Sequence, residues 1–172
     1  MGGKSRTRAG WQAPPIDITA RGFTLIELLM VMATIAVLVS LMLPHALSAR
    51  KGANEASAIS TLRTLAYAQC AYKTQNLGGS GQYGTIAQLE TPPRGTTYHI
   101  QWPTAGVPIK SGYRFSDLEP PTLETWCIVA VPITAGVSGD RYFGVTVDAQ
   151  VRESTAPATN RADVLSWPVV DN

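Results

Sequence analysis

The sequence predicts an α+β fold in which one long N-terminal helix packs on a small antiparallel β-sheet of about four strands. Three observations support this prediction. An apolar run of 21 residues occupies positions 23–43, and apolar residues then recur at the spacing of an amphipathic helix. Further along the chain, four segments rich in β-branched and aromatic residues are bounded by Pro, Gly, Asp and Ser. The chain has 172 residues, which suffices for one modest domain besides the apolar run.

The apolar run, from Phe23 to Leu43, would be about 31 Å long as a helix, which is enough to span a bilayer. Its single charged residue is Glu27. A carboxylate at the centre of a membrane helix costs about 2.5–3.5 kcal/mol, and less near an end. Glu27 therefore either sits at the level of the lipid headgroups or has a partner. Pro44, directly after the run, is expected to kink or locally melt the helix.

Charge is distributed unevenly between the two ends of the chain. Residues 1–22 contain four basic residues against Asp17 and carry a net charge of +3, whereas the whole chain carries +2. Such a basic end is expected to stay in the cytoplasm. In the remainder Lys and Arg are dispersed along the chain, with Arg50 and Lys51 the one adjacent pair, and a phosphate-contacting surface needs clustered cations, so no nucleic-acid partner is predicted.

A secretory signal peptide is a competing interpretation of the same segment. Residues 46–48, followed by Ala49, would serve as a small-residue cleavage site. Against this interpretation, the uncharged stretch from Leu28 to Leu43 has 16 residues, past the usual length of about 7–15, and Glu27 is out of place at its leading edge. A plain signal anchor that holds a binding domain is the other ordinary alternative.

Residues 21–27, RGFTLIE, resemble the prepilin peptidase site of type IV pilins and type II secretion pseudopilins. The resemblance implies cleavage between Gly22 and Phe23, methylation of the new Phe23 amine, and use of Glu27 in subunit assembly. It also implies the pilin fold and a structural, non-enzymatic subunit, held in the inner membrane before assembly and in a periplasmic or surface filament afterwards. The implied partners are prepilin peptidase, identical or related pilin subunits, and the inner-membrane assembly machinery. A type II secretion pseudopilin remains the alternative within this class.

The chemistry of cleavage supports a coupling between processing and assembly. Cutting before Phe23 creates an α-amino group whose reference pKa of about 7.7–8.0 makes it largely cationic at neutral pH. In the uncut chain the same nitrogen is a neutral amide. Cleavage would therefore allow Glu27 of one subunit to pair with the Phe23 amine of a neighbour. Gly22 fits a cleavage position because a residue without Cβ lets a protease approach the backbone closely.

The expected organisation has four parts along the chain. Residues 1–22 form a basic leader, 23–44 a membrane or filament-core helix, 45–75 an amphipathic helix, and 76–172 a β-sheet body. In the amphipathic helix Ile59, Leu62, Ala66 and Cys70 recur at intervals of three or four and predict the stripe that faces the sheet.

The body is predicted to begin with a short helix, 85–90, stopped by Pro92 and Pro93. The predicted strands are Thr96–Trp102, Gly112–Leu118, Thr125–Val131 and Arg141–Arg152. In the third strand, positions 127, 129 and 131 would face one side of the sheet and positions 126, 128 and 130 the other. The tail, 154–172, is irregular by composition and is expected to wrap the sheet edge or contact the next subunit.

The remaining candidates for chemistry give few indications of a site. Cys70 and Cys127 could form one disulfide in an extracytoplasmic body, or both could be small buried hydrophobic residues. His45 and His99 stand near no pattern of a catalytic triad or metal site. Asp163 and Asp171 lie in the tail without an acidic cluster at calcium-ligand spacing. The sequence therefore predicts no enzyme, no cofactor and no metal.

Overall fold

The computed structural model describes residues 22–92 and 96–170, except for the side chains of Leu43 and Pro44. The helices are α1 (Leu25–Thr74), α2 (Ile86–Glu90) and α3 (Arg161–Ser166). The strands are β1 (Ile109–Lys110), β2 (Tyr113–Glu119), β3 (Cys127–Pro132), β4 (Tyr142–Thr146) and β5 (Val151–Ser154). The chain divides into two compact units, Met1–Leu41 and Met42–Asn172, and the second is called the body below. The predicted leader up to Arg21, Pro93 and Asp171 lie outside the described residues.

The described part of the first unit is the short non-helical stretch 22–24 and the start of α1. Its residues from Gly22 to Leu41 are all exposed. Helix α1 is long and apolar enough to cross a membrane by length and composition. It runs as one helix through position 44, and the kink expected at Pro44 stays a prediction.

The body contains a five-stranded sheet in the order β1-β2-β3-β4-β5, in which each neighbouring pair is antiparallel. The predicted α+β class is therefore confirmed, and the arrangement agrees with the pilin fold. The expectation of one strand over Arg141–Arg152 is wrong. A turn at 147–150 divides that segment into β4 and β5, and Ala149 adopts a φ of 58° there.

One face of the sheet is covered by the part of α1 that belongs to the body. Leu62 and Leu65 of the helix join Ile128, Ala130 and Phe143 of the sheet in one apolar core. The predicted sidedness of β3 is confirmed, since Trp126, Ile128 and Ala130 lie in this core while Cys127 and Val129 pack on the opposite face. Cys70 was wrongly placed on the buried stripe of α1, because its side chain is exposed and Gln69 is buried beside it.

The opposite face of the sheet is covered by the C-terminal segment. Val164 of α3 and Trp167 pack against Cys127 and Val129. The tail was predicted to be irregular, and the helix α3 corrects that expectation. Its start is fixed by a capping box in which Asn160 accepts a bond from the Asp163 backbone and Asp163 accepts one from the Asn160 backbone.

The tail also follows the edge of the sheet, which is one of the two arrangements predicted for it. The Glu153 backbone nitrogen donates to the Pro168 oxygen at 3.0 Å, and the Val170 nitrogen donates to the Val151 oxygen at 2.9 Å. These bonds satisfy backbone groups of β5 that an open edge would leave exposed.

The predicted strand Thr96–Trp102 does not form. The segment is irregular, although its side chains alternate as predicted, with Tyr98, Ile100 and Trp102 buried and Thr97 and His99 exposed. The alternation therefore reflects how the side chains pack into the core and not pairing in a ladder. The short helix predicted at 85–90 is confirmed as α2, which Thr85 caps.

The disulfide that the sequence left open is absent, because Cys70 and Cys127 are both free. Cys70 lies exposed on α1, and α1 covers the face of the sheet opposite to Cys127. A disulfide requires Cβ atoms about 3.5–4.5 Å apart, which side chains on opposite faces of a sheet do not reach.

Candidate functional site

Helix α1 begins with a capping box formed by Thr24 and Glu27, two residues of the apolar segment 23–43. The Thr24 backbone nitrogen and hydroxyl donate to Glu27 Oε2 at 3.0 and 2.8 Å. In return, the Glu27 nitrogen donates to Thr24 Oγ1 at 3.3 Å. Ser or Thr followed three residues later by Glu is the usual pattern of such a box, because each side chain satisfies a backbone donor of the first turn.

This capping role was missed in the sequence, although the pattern Thr24-x-x-Glu27 stands at the start of the apolar run. It supplies a local reason for a carboxylate at position 27 that requires no partner subunit. Within the described residues, the hydrogen bonds of the carboxylate all go to Oε2. Oε1 accepts no hydrogen bond from the described residues, and a pairing of Glu27 with a neighbouring subunit stays a prediction.

The predicted cleavage position lies in an accessible, non-helical stretch before α1. Gly22 and Phe23 are both exposed, and the Phe23 side chain is 85% exposed. A Cβ at Gly22 would meet nothing within 4 Å, so packing does not require glycine there. Accessibility permits cleavage between Gly22 and Phe23, and cleavage, Phe23 methylation and the assembly role of Glu27 stay predictions.

The rest of the segment presents an apolar surface on all sides of the helix. Its two hydroxyl groups bond within the helix, Thr34 to the Val31 oxygen and Ser40 to the Val37 oxygen, both at 2.8 Å. The exposed apolar side chains are Phe23, Leu25, Ile26, Leu28, Leu29, Met30, Val31, Met32, Ile35, Val37, Leu38, Val39, Leu41 and Met42. A continuous apolar surface of this size is stable in lipid or against other helices and not in water.

In the body, α1 is tied to the sheet by a group that we call the Arg141 clamp, formed by Glu55, Arg141 and Glu153. Arg141 Nε and Nη2 donate to Glu55 Oε2 at 3.0 and 2.7 Å, and Arg141 Nη1 donates to Glu153 Oε2. Glu55 Oε1 accepts from the Asp140 backbone at 2.9 Å, and the Glu55 side chain is only 10% exposed. The clamp joins α1 to β5 and to the residue directly before β4 through charge-assisted bonds.

A second polar tie holds α1 to the loop before α2. The Gln69 side chain donates to the Gly84 oxygen at 2.6 Å and accepts from the Gly84 nitrogen at 2.9 Å. Both ties were missed in the sequence. Glu55 and Gln69 lie three or four residues from buried positions of α1, such as Ala58 and Leu65, so they fall on the buried stripe. A polar residue on such a stripe indicates a buried hydrogen-bond partner.

The chain is similar to a protein from a type IV pilus. The chain is 35% identical over 83 residues to the type IV wide pilus major component PilA4 of Thermus thermophilus. The matched residues are 47% of this chain and 63% of that protein, so the chain spans somewhat less than two thirds of its relative's length. No protein-family model matches the chain.

Proposed function

We propose, on the premise that this chain is a type IV pilin-like protein, that it is a structural subunit of a type IV pilus-like filament. The observation that carries the proposal is the start of α1, where the Gly22–Phe23 bond is accessible before the helix and Glu27, in the first turn, is followed by exposed apolar side chains on all sides. The similarity to a pilus component supports it. The similar protein is a pilus component, which fits a structural and non-enzymatic role for this chain.

Processing is the first step of the proposed function. Prepilin peptidase would remove residues 1–22 and leave Phe23 as a methylated N-terminus. The new amine is cationic at neutral pH and so provides a partner for Glu27 of a neighbouring subunit. The Thr24 bonds hold Glu27 Oε2 within its own subunit, and Oε1 is the atom that would accept from the neighbour's amine.

Assembly then transfers the apolar segment from lipid to a bundle of like segments. Each large apolar side chain left in water would cost about 1.5–3 kcal/mol, so extraction without bundling is unfavourable. A contact between copies that does not close into a ring propagates as a helical filament. The subunit would thus pass from the inner membrane, where the assembly machinery acts, into the filament at the surface.

The first experiment is N-terminal sequencing and intact-mass measurement of the full chain expressed with and without an active prepilin peptidase. We expect a mature protein that begins at methylated Phe23 only when the peptidase is active. A start near Ala49 would indicate a secretory signal peptide, and a start at Met1 despite active peptidase would indicate a plain anchor. Either result would refute the proposed processing.

The role of Glu27 is tested by two substitutions that separate charge from capping. Gln at this position of a capping box still accepts the backbone bond, whereas Ala does not. We expect both Glu27→Gln and Glu27→Ala to be processed and to remain in the membrane without forming filaments. If Glu27→Gln assembles at the normal level, the pairing of Glu27 with the Phe23 amine is wrong and capping is its role.

A type II secretion pseudopilin shares the segment, the cleavage site and the carboxylate, and it is the second candidate. The two functions differ in what the assembled copies do. We expect deletion of the gene to abolish sheared surface filaments and to leave secretion of folded proteins to the medium unchanged. The reverse pattern would favour the pseudopilin.

A further inference from the structure

A groove lies in the body between α1 and the loop 133–141, which joins β3 to β4. Leu47, Ser48 and Lys51 line it from the helix, and Gly136, Val137 and Asp140 line it from the loop. Its volume is about 340 Å³, which admits one or two large side chains. Two apolar side chains are left open to solvent at the groove, since Leu47 is 56% and Val137 is 66% exposed.

The loop that presents Val137 is anchored at several points. Ser138 Oγ accepts from the Thr134 nitrogen and donates to the Thr134 oxygen, both at 3.0 Å, and the Gly136 nitrogen donates to the Gly139 oxygen at 3.0 Å. Asn54 of α1 donates to the Ser138 oxygen at 2.9 Å. The loop is thus held in one conformation while an apolar side chain at its tip faces solvent. A surface fixed before binding loses less conformational entropy when a partner docks.

The loop also fits tightly against the rest of the body. Gly112 has a φ of 73°, and a Cβ on it would come within 2.7 Å of the Ser138 Cβ. A Cβ on Gly139 would come within 1.9 Å of the Tyr113 hydroxyl. Two glycines therefore permit the close approach that sets the position of Val137.

The polar part of the groove is an ion pair of which one member remains accessible. Lys51 Nζ lies 3.0 Å from Asp140 Oδ1, and the Asp140 side chain is 60% exposed. Apolar walls with a polar rim are the composition of a protein–protein contact. The pair leaves the lining without net charge, so electrostatics does not select an anionic surface such as a lipid headgroup or a nucleic acid.

We propose that the Leu47–Val137 groove is a contact surface for a second copy of this chain in the filament, an inference that rests on the proposed function. Met42, which is 70% exposed, lies five residues before Leu47 on the same helix, about 7.5 Å along its axis and about 140° around it, so a contact with the groove side of α1 requires that neighbouring copies cover the helix on all its sides. A neighbouring copy that covers the apolar side chains up to Met42 comes within side-chain reach of the groove. Its apolar side chain fills the groove and covers Leu47 and Val137.

The test compares two exposed valines, one in the loop before β4 and one in the turn after it, in the full chain and in a host that assembles the unchanged protein. Val137→Glu puts a charge into the groove, and Val147→Glu puts one on the turn after β4, where Val147 is 46% exposed. We expect Val137→Glu to weaken the contact between copies by about tenfold or more, which corresponds to about 1.4 kcal/mol, and so to lower the amount of sheared surface filaments. Val147→Glu should stay within about twofold of the unchanged protein, and both should be processed and folded by near-UV circular dichroism. Equal filament levels for the two variants would overturn the inference.

A photo-crosslinking residue in place of Leu47 identifies the occupant directly. We expect a covalent dimer of this chain by mass after irradiation of intact filaments. Crosslinks to lipid alone, or to a different protein alone, would overturn the inference. If the unchanged protein forms no filament, the proposed function fails. The variant can then be irradiated in membranes, where a covalent dimer would still support contact between two copies at the groove, and crosslinks to lipid or another protein alone would overturn it.

Discussion

At the scale of single residues, the two cysteines differ in their chemical environment. Burial raises the pKa of the Cys127 thiol to about 12, whereas Cys70 is exposed. Because the thiolate is the reactive form, we expect one maleimide adduct, on Cys70, when the folded chain is treated at neutral pH. Intact mass of the full chain in detergent, before and after denaturation, measures this. Denatured protein should carry two adducts, and a chain that takes none without reductant would contain the disulfide.

Gly144 in β4 is required by the packing of α3 on the sheet, which the neighbouring residues in the sequence do not indicate. A Cβ on Gly144 would come within 2.6 Å of Val164 Cγ1. Val side chains are stiff, so α3 has to move, and we expect Gly144→Ala to lower the free energy of unfolding by about 1–3 kcal/mol. Denaturant unfolding in detergent, followed by near-UV circular dichroism, gives the value.

The matched control for that substitution is a glycine with open space around it. Gly52 lies in the exposed part of α1, and a Cβ there would meet nothing within 4 Å. Gly52→Ala should therefore raise the free energy of unfolding by about 0.5–1 kcal/mol through helix propensity. Changes of the same sign in both variants would contradict the packing of α3 on β4.

At the scale of elements, the Arg141 clamp is expected to stabilise the docking of α1 on the sheet. Arg141→Met leaves Glu55 and Glu153 close together without their shared cation. Removing one partner of a fully buried ion pair lowers the free energy of unfolding by about 3–5 kcal/mol. The Arg141 side chain is 39% exposed, so solvent screening reduces the expected loss to about 1–3 kcal/mol.

The clamp can be separated from other effects of the substitution by a double-mutant cycle. Once Glu55→Gln has removed the carboxylate, Arg141→Met should lower the free energy of unfolding by at least about 0.5 kcal/mol less than it does in the unchanged protein. Lys51→Met, which breaks the more exposed pair with Asp140, should cost about 0–1 kcal/mol. Additive losses at Glu55 and Arg141 would show that the two side chains act independently.

At the scale of the whole molecule, the parts that sequence could predict are those in which periodicity and burial coincide. The stripe on α1 around Leu62 and Ala66 and the sidedness of β3 belong to this group. The segment Thr96–Trp102 shows the limit, because alternating burial there comes without strand pairing. Periodicity reports which way a side chain faces and not which backbone groups are its partners.

The features missed at the ends of helices were local and could have been found. Thr24-x-x-Glu27 and Asn160-x-x-Asp163 are both capping patterns, and the second marks the start of α3. The partners in the Arg141 clamp could not be identified from the sequence, since Glu55 and Arg141 are 86 positions apart. Only Glu55, as a charge on a buried stripe, indicated that such a partner exists.

The clamp also bears on how a filament of these chains would respond to tension. A pull along α1 runs parallel to the surface on which the helix is docked, so the clamp, the Lys51–Asp140 pair and the apolar rows beyond them are loaded together in shear. Contacts that share a load yield at a higher force than contacts that are peeled apart one after another. A body docked on the pulled helix along its own length should therefore stay folded while the filament is under strain.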